Sequence, residues 1–171
     1  MTVDPGNLPT RVIHAYMQRG LTVATCESLT AGLVAGTLAT VPGASKVLRG
    51  GLVTYATELK TALAGVDAEL LKKFGAVDAE VARQMARGAR RACTADVAVA
   101  CTGVAGPDPQ DGKPVGTVFV AVATRDGEDV REHAFEGDRA SIRRQTVDAC
   151  CEALLRIISC RLSSNPVEDH Q

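Results

Sequence analysis

The stretch Leu21–Gly32, LTVATCESLTAG, determines how the rest of the chain is interpreted. Its first half is apolar, which predicts a short buried strand ending at Cys26. The Ala-, Leu- and Val-rich segment that follows predicts a helix from about Thr30 to Val41, with Thr30 as the N-cap. Ser28 lies in the polar turn between the two. A turn between the carboxyl end of a strand and the amino end of a helix presents free N–H groups, which favour anions and oxyanions.

The remaining elements alternate in the same way. The predicted strands are Gly50–Thr57, Asp96–Cys101, Val115–Thr124 and Val130–Phe135, and the further predicted helices are Leu8–Arg19, Asp67–Phe74, Asp78–Thr94 and a last one that runs to about Arg161. Continuous apolar strands are typical of a sheet that is buried on both faces. The sequence therefore predicts a three-layer α/β domain, in which helices cover both faces of a mixed, mainly parallel sheet.

Composition indicates one soluble globular domain. The chain has 171 residues, 46% of them hydrophobic, which is enough to bury a core without disulfides. A net charge of −1 and an aromatic content of 3% do not suit a nucleic-acid-binding protein. Because neither a signal peptide nor an apolar membrane span is visible, we expect a cytoplasmic protein that does not contact the membrane. The core is expected at about residues 8–160, and residues 162–171 are expected to form a flexible tail.

The six cysteines and three histidines do not form a metal-binding pattern. No C-x-x-C pair is present, and the histidines are scattered along the chain. We therefore expect no metal site and interpret the cysteines, which lie mostly in apolar segments, as buried reduced thiols.

Three predicted loops, at residues 26–32, 55–60 and 102–107, leave the carboxyl ends of strands. We expect them to meet, because the carboxyl ends of parallel strands share one edge of a sheet. They supply two hydroxyls, a phenol and an amine: Ser28, Thr102, Tyr55 and Lys60. A serine nucleophile needs a base, and no histidine lies in these loops. This leaves a Ser–Lys arrangement in which Lys60 has a lowered pKa and Tyr55 relays the proton or orients the amine.

Each candidate also has an ordinary structural interpretation. A lone lysine is usually a solvated surface residue, and a lone tyrosine in a strand usually packs against its neighbours. Arg139 and Arg143 lie four residues apart at the start of the last helix, where two guanidinium groups suit a phosphate; a solvated, salt-bridged helix face is the alternative. A cysteine nucleophile is a further alternative, since Cys26 and Cys101 also lie at strand ends, although no histidine is placed to activate them.

Five motifs occur in order: CESLTAG at 26–32, VTYATELK at 53–60, TGVAGP at 102–107, KPVGTV at 113–118 and FEGDRASIR at 135–143. This series resembles the carboxy-terminal domain of the CinA (competence/damage-inducible) family, whose stand-alone form is nicotinamide-nucleotide amidase. The resemblance runs from about Leu8 to Ser159. Since no amino-terminal CinA domain is present, we expect the short, single-domain form.

The resemblance implies hydrolysis of the carboxamide of nicotinamide mononucleotide to nicotinic acid mononucleotide and ammonia, without a metal or organic cofactor. It implies that Ser28 is the nucleophile and that Lys60 and Tyr55 are its base and proton relay. The expected substrate-binding residues are Glu27, Thr30, Gly32, Thr102, Gly103, Ala105 and Gly106, with Arg139 and Arg143 at the phosphate end.

Two departures from the family pattern affect the site. Ala31 stands where the family often has glycine, and we expect it to be tolerated in a helical position. Residues 108–111, DPQD, replace a Gly-Gly pair, so we expect this loop to have its own conformation.

Two expectations concern function and assembly. The alternative function is a non-catalytic nucleotide-binding or competence-associated module of the same fold. The joint presence of Ser28, Tyr55 and Lys60 favours the enzyme, because a binding module does not need all three. The Ala- and Val-rich composition also suits a homo-oligomer, and we expect a dimer.

Overall fold

The apolar stretches of the sequence form one five-stranded mixed sheet. A computed structural model, which describes residues 6–162, contains β1 (Val23–Glu27), β2 (Leu48–Val53), β3 (Val97–Gly103), β4 (Thr117–Ala123) and β5 (Glu128–Ala134). Their order in the sheet is β2-β1-β3-β4-β5. Strand β1 is parallel to β2 and β3, whereas β4 is antiparallel to β3 and β5. The predicted α/β class with a mixed sheet is confirmed.

Helices cover both faces of this sheet. They are α1 (Leu8–Gln18), α2 (Leu33–Ala39), α3 (Thr57–Ala64), α4 (Ala68–Phe74), α5 (Ala79–Ala92) and α6 (Arg139–Leu162), with a 3-10 turn at Ala44–Lys46. Helices α1, α2 and α6 pack on one face, and α5 packs on the other. Within residues 6–162, no helix has the length and apolar character needed to cross a bilayer. The predicted tail lies outside the described residues, apart from Leu162 at the end of α6.

Alternating side chains along the central strands separate two cores. In β3, Val97, Val99 and Cys101 contribute to the core beneath α1, α2 and α6, whereas Ala98 and Ala100 contribute to the core beneath α5. The alanines leave room for α5 to approach the sheet closely. Both faces of β3 are therefore buried, as its continuous apolar sequence predicts.

The register of the three parallel strands puts their carboxyl ends level with one another. Glu27, the last residue of β1, pairs with Val53 of β2 on one side and with Cys101 of β3 on the other. The chain leaves β1 for a neighbour on one side and later returns to its other side, so β1 and β3 flank a topological switch point. Ligands of α/β proteins bind in the crevice outside the strand ends at such a point.

The second strand ends earlier than predicted. The prediction was Gly50–Thr57, but β2 ends at Val53 and the chain is helical from Thr57 onward. Lys60 therefore lies on helix α3, not in a loop. The sequence does carry signals for this helix, with Glu58 in its first turn and Gly65 in the left-handed conformation just after its last turn.

The helix after β1 also begins later than predicted. It starts at Leu33, and its N-cap is Gly32 rather than Thr30. Ala31 and Gly32 both have left-handed backbones, with φ angles of 51° and 97°. The expectation that Ala31 is helical is wrong, and a residue with a Cβ costs roughly 1–2 kcal/mol in this conformation. These two residues turn the chain sharply between β1 and α2.

Candidate active site

A cleft opens beyond the level carboxyl ends of β1, β2 and β3. Its empty volume, open mouth included, is about 540 Å³. All three predicted loops contribute to it, so they do meet. The predicted site residues that line the cleft are Ser28, Tyr55, Lys60, Thr102, Gly103, Ala105, Gly106 and Arg139. Four others do not line it: Glu27, Thr30, Gly32 and Arg143.

Ser28 and Lys60 contact each other in the cleft. The Lys60 amine (Nζ) lies 3.1 Å from the Ser28 hydroxyl oxygen and donates a hydrogen bond of 2.7 Å to the carbonyl of Thr54. The lysine is only 1% exposed. Burial lowers its pKa, and the neighbouring ionisable groups oppose this effect only in part. None of the ion pairs within residues 6–162 includes Lys60, so the site favours a neutral amine.

Helix α5 sets the position of the helix that carries Lys60. Gly88 of α5 lies against the backbone of Ala64 in α3, so closely that a Cβ at residue 88 would overlap the Ala64 carbonyl oxygen. Lys60 and Ala64 are the buried residues of α3, and their spacing of four places them on one helix face. The close packing of the two helices therefore fixes the direction from which the amine enters the cleft.

The carboxylate of Glu27 organises the Ser28 turn from inside the protein. It accepts hydrogen bonds from the Thr30 hydroxyl at 2.6 Å and from the N–H groups of Gly32, Val34 and Ala35 at 3.0, 2.9 and 2.8 Å. Glu27 thus satisfies the free N–H groups at the start of α2, whose N-cap residue has no side chain to do so. Glu27, Thr30 and Gly32, which are expected to bind substrate, form the hydrogen bonds that hold the turn together.

Two successive N–H groups after Ser28 have no hydrogen-bond partner among residues 6–162. The N–H of Ser28 donates to Cys101, and the N–H of Ala31 donates to the Ser28 carbonyl, both at 3.1 Å. The N–H groups of Leu29 and Thr30 make no such bond, although Leu29 is only 4% exposed and Thr30 is fully buried. Buried N–H groups are nearly always paired, so two successive unpaired donors are an unusual feature of the turn that carries Ser28.

Arg143 contacts the Ser28 turn and not the cleft. Its Nε donates to the carbonyl oxygen of Leu29 and its Nη2 donates to that of Thr30, both at 3.0 Å. Sequence analysis expected Arg143 at the phosphate end of the substrate. In the structure the fork of its guanidinium is directed at the two carbonyls of the turn.

Arg139 and Tyr55 form one side of the cleft. Arg139 donates to the carbonyl of Gly106 and to the hydroxyl of Tyr55, both at 2.7 Å, and all three residues line the cleft. Within residues 6–162, the Tyr55 hydroxyl is bonded to Arg139 and to neither Lys60 nor Ser28. A proton relay through Tyr55 therefore has no direct contact in this arrangement.

The loop that departs from the family pattern supplies another wall. Thr102 donates to the carbonyl of Ala76 at 2.7 Å, and Asp111 accepts from the Ala76 N–H at 2.8 Å. The loop is thereby tied to the segment before α5, and Asp108 and Gln110 line the cleft. Sequence analysis did not select these two residues. The available signal was that they are polar and follow the carboxyl end of a strand.

The cysteine at the end of β1 is not prepared for nucleophilic chemistry. Cys26 is fully buried, and burial raises the pKa of its thiol to about 12. The thiol is therefore protonated at neutral pH and unreactive. Across residues 6–162, no group of three or more His, Cys, Asp and Glu side chains is arranged to hold a metal ion.

Relatives of known sequence and structure match almost the whole chain. The family model described as CinA C-terminal domain matches residues 6–158. The CinA-like protein of Geobacter sulfurreducens is 47% identical over 150 residues, which cover 87% of this chain and 36% of that protein. The CinA-like protein of Frankia casuarinae is 45% identical over 148 residues, which cover 86% of this chain and 34% of that protein. The chain thus spans about a third of the length of the curated relatives it matches.

A solved structure agrees in fold as well as in sequence. The competence/damage inducible protein CihA from Agrobacterium tumefaciens is 39% identical, with a TM-score of 0.86, and the match covers 93% of this chain and 99% of that one. The CinA superfamily protein KP700603 from Klebsiella pneumoniae is 31% identical, with a TM-score of 0.87 and coverage of 92% and 99%. Sequence and fold agree, and the chain belongs to the CinA C-terminal domain family.

Proposed function

We propose that the chain is a nicotinamide-nucleotide amidase, which hydrolyses the carboxamide of nicotinamide mononucleotide to nicotinic acid mononucleotide and ammonia. The observation that carries the proposal is the 3.1 Å contact between the Ser28 hydroxyl and the amine of the buried Lys60. The choice of substrate rests on the resemblance of the five sequence motifs. The choice of amide hydrolysis rests on this pair and on the unpaired N–H groups beside it.

Lys60 is the base that activates Ser28. A neutral amine has one lone pair and two N–H bonds. With one N–H donated to the Thr54 carbonyl, the lone pair faces the Ser28 hydroxyl and accepts its proton. Burial lowers the pKa of the amine, which favours the neutral form that this step requires.

The serine oxygen attacks the carboxamide carbon. As the new C–O bond forms, the carbonyl electron pair moves to the oxygen, and the N–H groups of Leu29 and Thr30 donate to the resulting oxyanion. Removing one such donor typically costs about 10²–10³-fold in rate. The intermediate then collapses, the C–N bond breaks, and the Lys60 ammonium gives its proton to the leaving nitrogen. Ammonia departs and an ester remains on Ser28.

Water completes the cycle. Lys60, neutral again, takes a proton from a water molecule, whose oxygen attacks the ester carbon. The bond to Ser28 breaks, the serine oxygen regains a proton from Lys60, and the carboxylic acid product leaves.

The remaining polar residues of the cleft suit the rest of a mononucleotide. The guanidinium of Arg139 is a donor for a phosphate. Asp108 and Gln110, on the opposite loop, offer acceptors for ribose hydroxyls.

The proposal is tested by measuring ammonia and nicotinic acid mononucleotide formed from nicotinamide mononucleotide, with EDTA present. Wild type and Ser45→Ala, which alters an exposed serine outside the cleft, are expected to release both products. Ser28→Ala is expected to release neither while keeping the wild-type circular dichroism spectrum. Binding of the nucleotide without hydrolysis by the wild type would favour the non-catalytic module, and absence of binding would remove the substrate assignment.

A further inference from the structure

We infer that Arg143 is a positioning residue that orients the oxyanion-binding N–H groups of the Ser28 turn, rather than a ligand for the substrate phosphate. The inference rests on the proposed function in taking Ser28 as the nucleophile. Arg143 belongs to α6, the last helix, and would thus support the chemistry of the turn between β1 and α2.

The orientation of each peptide group in the turn is fixed by a bond to its carbonyl. In a trans peptide, the C=O and the following N–H point in opposite directions. Arg143 holds the Leu29 carbonyl toward α6, so the Thr30 N–H points away from α6. The N–H of Ala31 holds the Ser28 carbonyl, and this fixes the direction of the Leu29 N–H. Both donors are thereby held with no partner in the described part of the protein.

The turn needs this external support. The left-handed backbone of Ala31 and the two unpaired N–H groups of buried residues raise the energy of the conformation. Without Arg143, the Leu29–Thr30 peptide loses the bond that fixes its direction. A rotated peptide would present a carbonyl oxygen, which repels an oxyanion, where an N–H is needed.

The charge of Arg143 strengthens the same donors. None of the ion pairs found within residues 6–162 includes Arg143. The positive charge of Arg143 is therefore not paired with a carboxylate in this part of the chain. Its hydrogen bond to the Leu29 carbonyl polarises the Leu29–Thr30 peptide group, which makes the Thr30 N–H a better donor. Lysine cannot reproduce the arrangement, because a single ammonium group does not form the planar fork that spans two carbonyls.

The test compares Arg143→Ala and Arg143→Lys with Arg144→Ala, a matched control at the exposed neighbouring position. For nicotinamide mononucleotide, both Arg143 variants are expected to lower kcat, Arg143→Ala by roughly 10²-fold, the loss typical of one oxyanion donor. Their KM values are expected to remain within about twofold of wild type. The loss is expected to be equal on the phosphate-free riboside, and Arg144→Ala is expected to match wild type. A raised KM for the nucleotide alone, with kcat unchanged, would show a phosphate ligand and overturn the inference.

A second measurement does not depend on the nucleotide. The rate at which phenylmethanesulfonyl fluoride labels Ser28 reports the reactivity of the turn, since sulfonylation also develops negative charge on an oxygen. Arg143→Ala is expected to label roughly 10²-fold more slowly than wild type, and equal rates would refute the inference. If wild type labels but does not hydrolyse the nucleotide, only the proposed substrate fails. If wild type does not label, both the nucleophile and the inference fail.

Discussion

Lys60→Met removes the buried amine and keeps a side chain of similar length, so it tests the proposed base directly. The variant is expected to lose at least the 10²–10⁴-fold that general-base catalysis typically contributes. Lys46→Met, at an exposed position in the 3-10 turn and outside the cleft lining, is the matched control and is expected to keep wild-type activity.

The lowered pKa of Lys60 also predicts how stability depends on pH. The amine has an ordinary value of 10.5 in the unfolded chain and a lower one in the folded protein. Between these two values the unfolded state binds more protons, so the contribution of Lys60 to the free energy of unfolding rises with pH across this window. The slope is at most about 1.4 kcal/mol per pH unit, and each unit of pKa shift corresponds to about 1.4 kcal/mol in total. Lys60→Met removes this contribution.

Two assays must then agree. The free energy of unfolding of wild type and of Lys60→Met is measured in urea across pH 6–10. Plotted against pH, the two free energies are expected to have the same slope below the folded-state pKa of Lys60 and different slopes above it. The rate constant kcat/KM of the wild type is expected to rise with pH through the same pKa, because the neutral amine is the active form. Parallel stability curves, or an activity midpoint that differs from the start of the stability window, would refute the reasoning.

Two further predictions concern the surroundings of Ser28. Glu27→Gln places an amide where four hydrogen-bond donors converge. The variant is expected to lower the free energy of unfolding, measured by urea titration, by about 3 kcal/mol. A loss below about 1 kcal/mol would contradict the capping role of Glu27. Treatment with iodoacetamide is expected to leave ammonia release unchanged, because the Cys26 thiol has a pKa of about 12 and is protonated at neutral pH. If activity were lost in proportion to the alkylation of Cys26, measured by mass spectrometry, a cysteine nucleophile would be supported instead.

The sequence predicted the parts of the fold that depend on local chemistry. Strands β1 and β3 are continuous apolar runs, and α5 begins after Asp78, whose side chain caps it. Helix α3 was not predicted, because the residues after Val53 have the β-branched and aromatic content of a strand. The left-handed Ala31 was missed because glycine is the usual sign of that conformation and this chain has alanine.

The candidate site also combines features that local sequence predicts with features that depend on long-range packing. Ser28 and Tyr55 follow strands and Thr102 lies near the end of one, and strand ends can be located from hydrophobic patterns. The contact of Arg143 with Leu29 joins residues 114 positions apart and depends on how α6 packs over the turn, which no local pattern encodes. The two unpaired N–H groups become apparent only when every backbone bond of the turn is known.

The most direct test of the central claim is the mass of the Ser28 peptide during turnover. Wild-type protein is mixed with nicotinamide mononucleotide, quenched with acid at successive times, digested and analysed by mass spectrometry. We predict a transient ester of nicotinic acid mononucleotide on Ser28 that forms as ammonia is released and is absent from Ser28→Ala. Turnover by Ser28→Ala, or a nucleotide adduct on a different residue, would contradict the account.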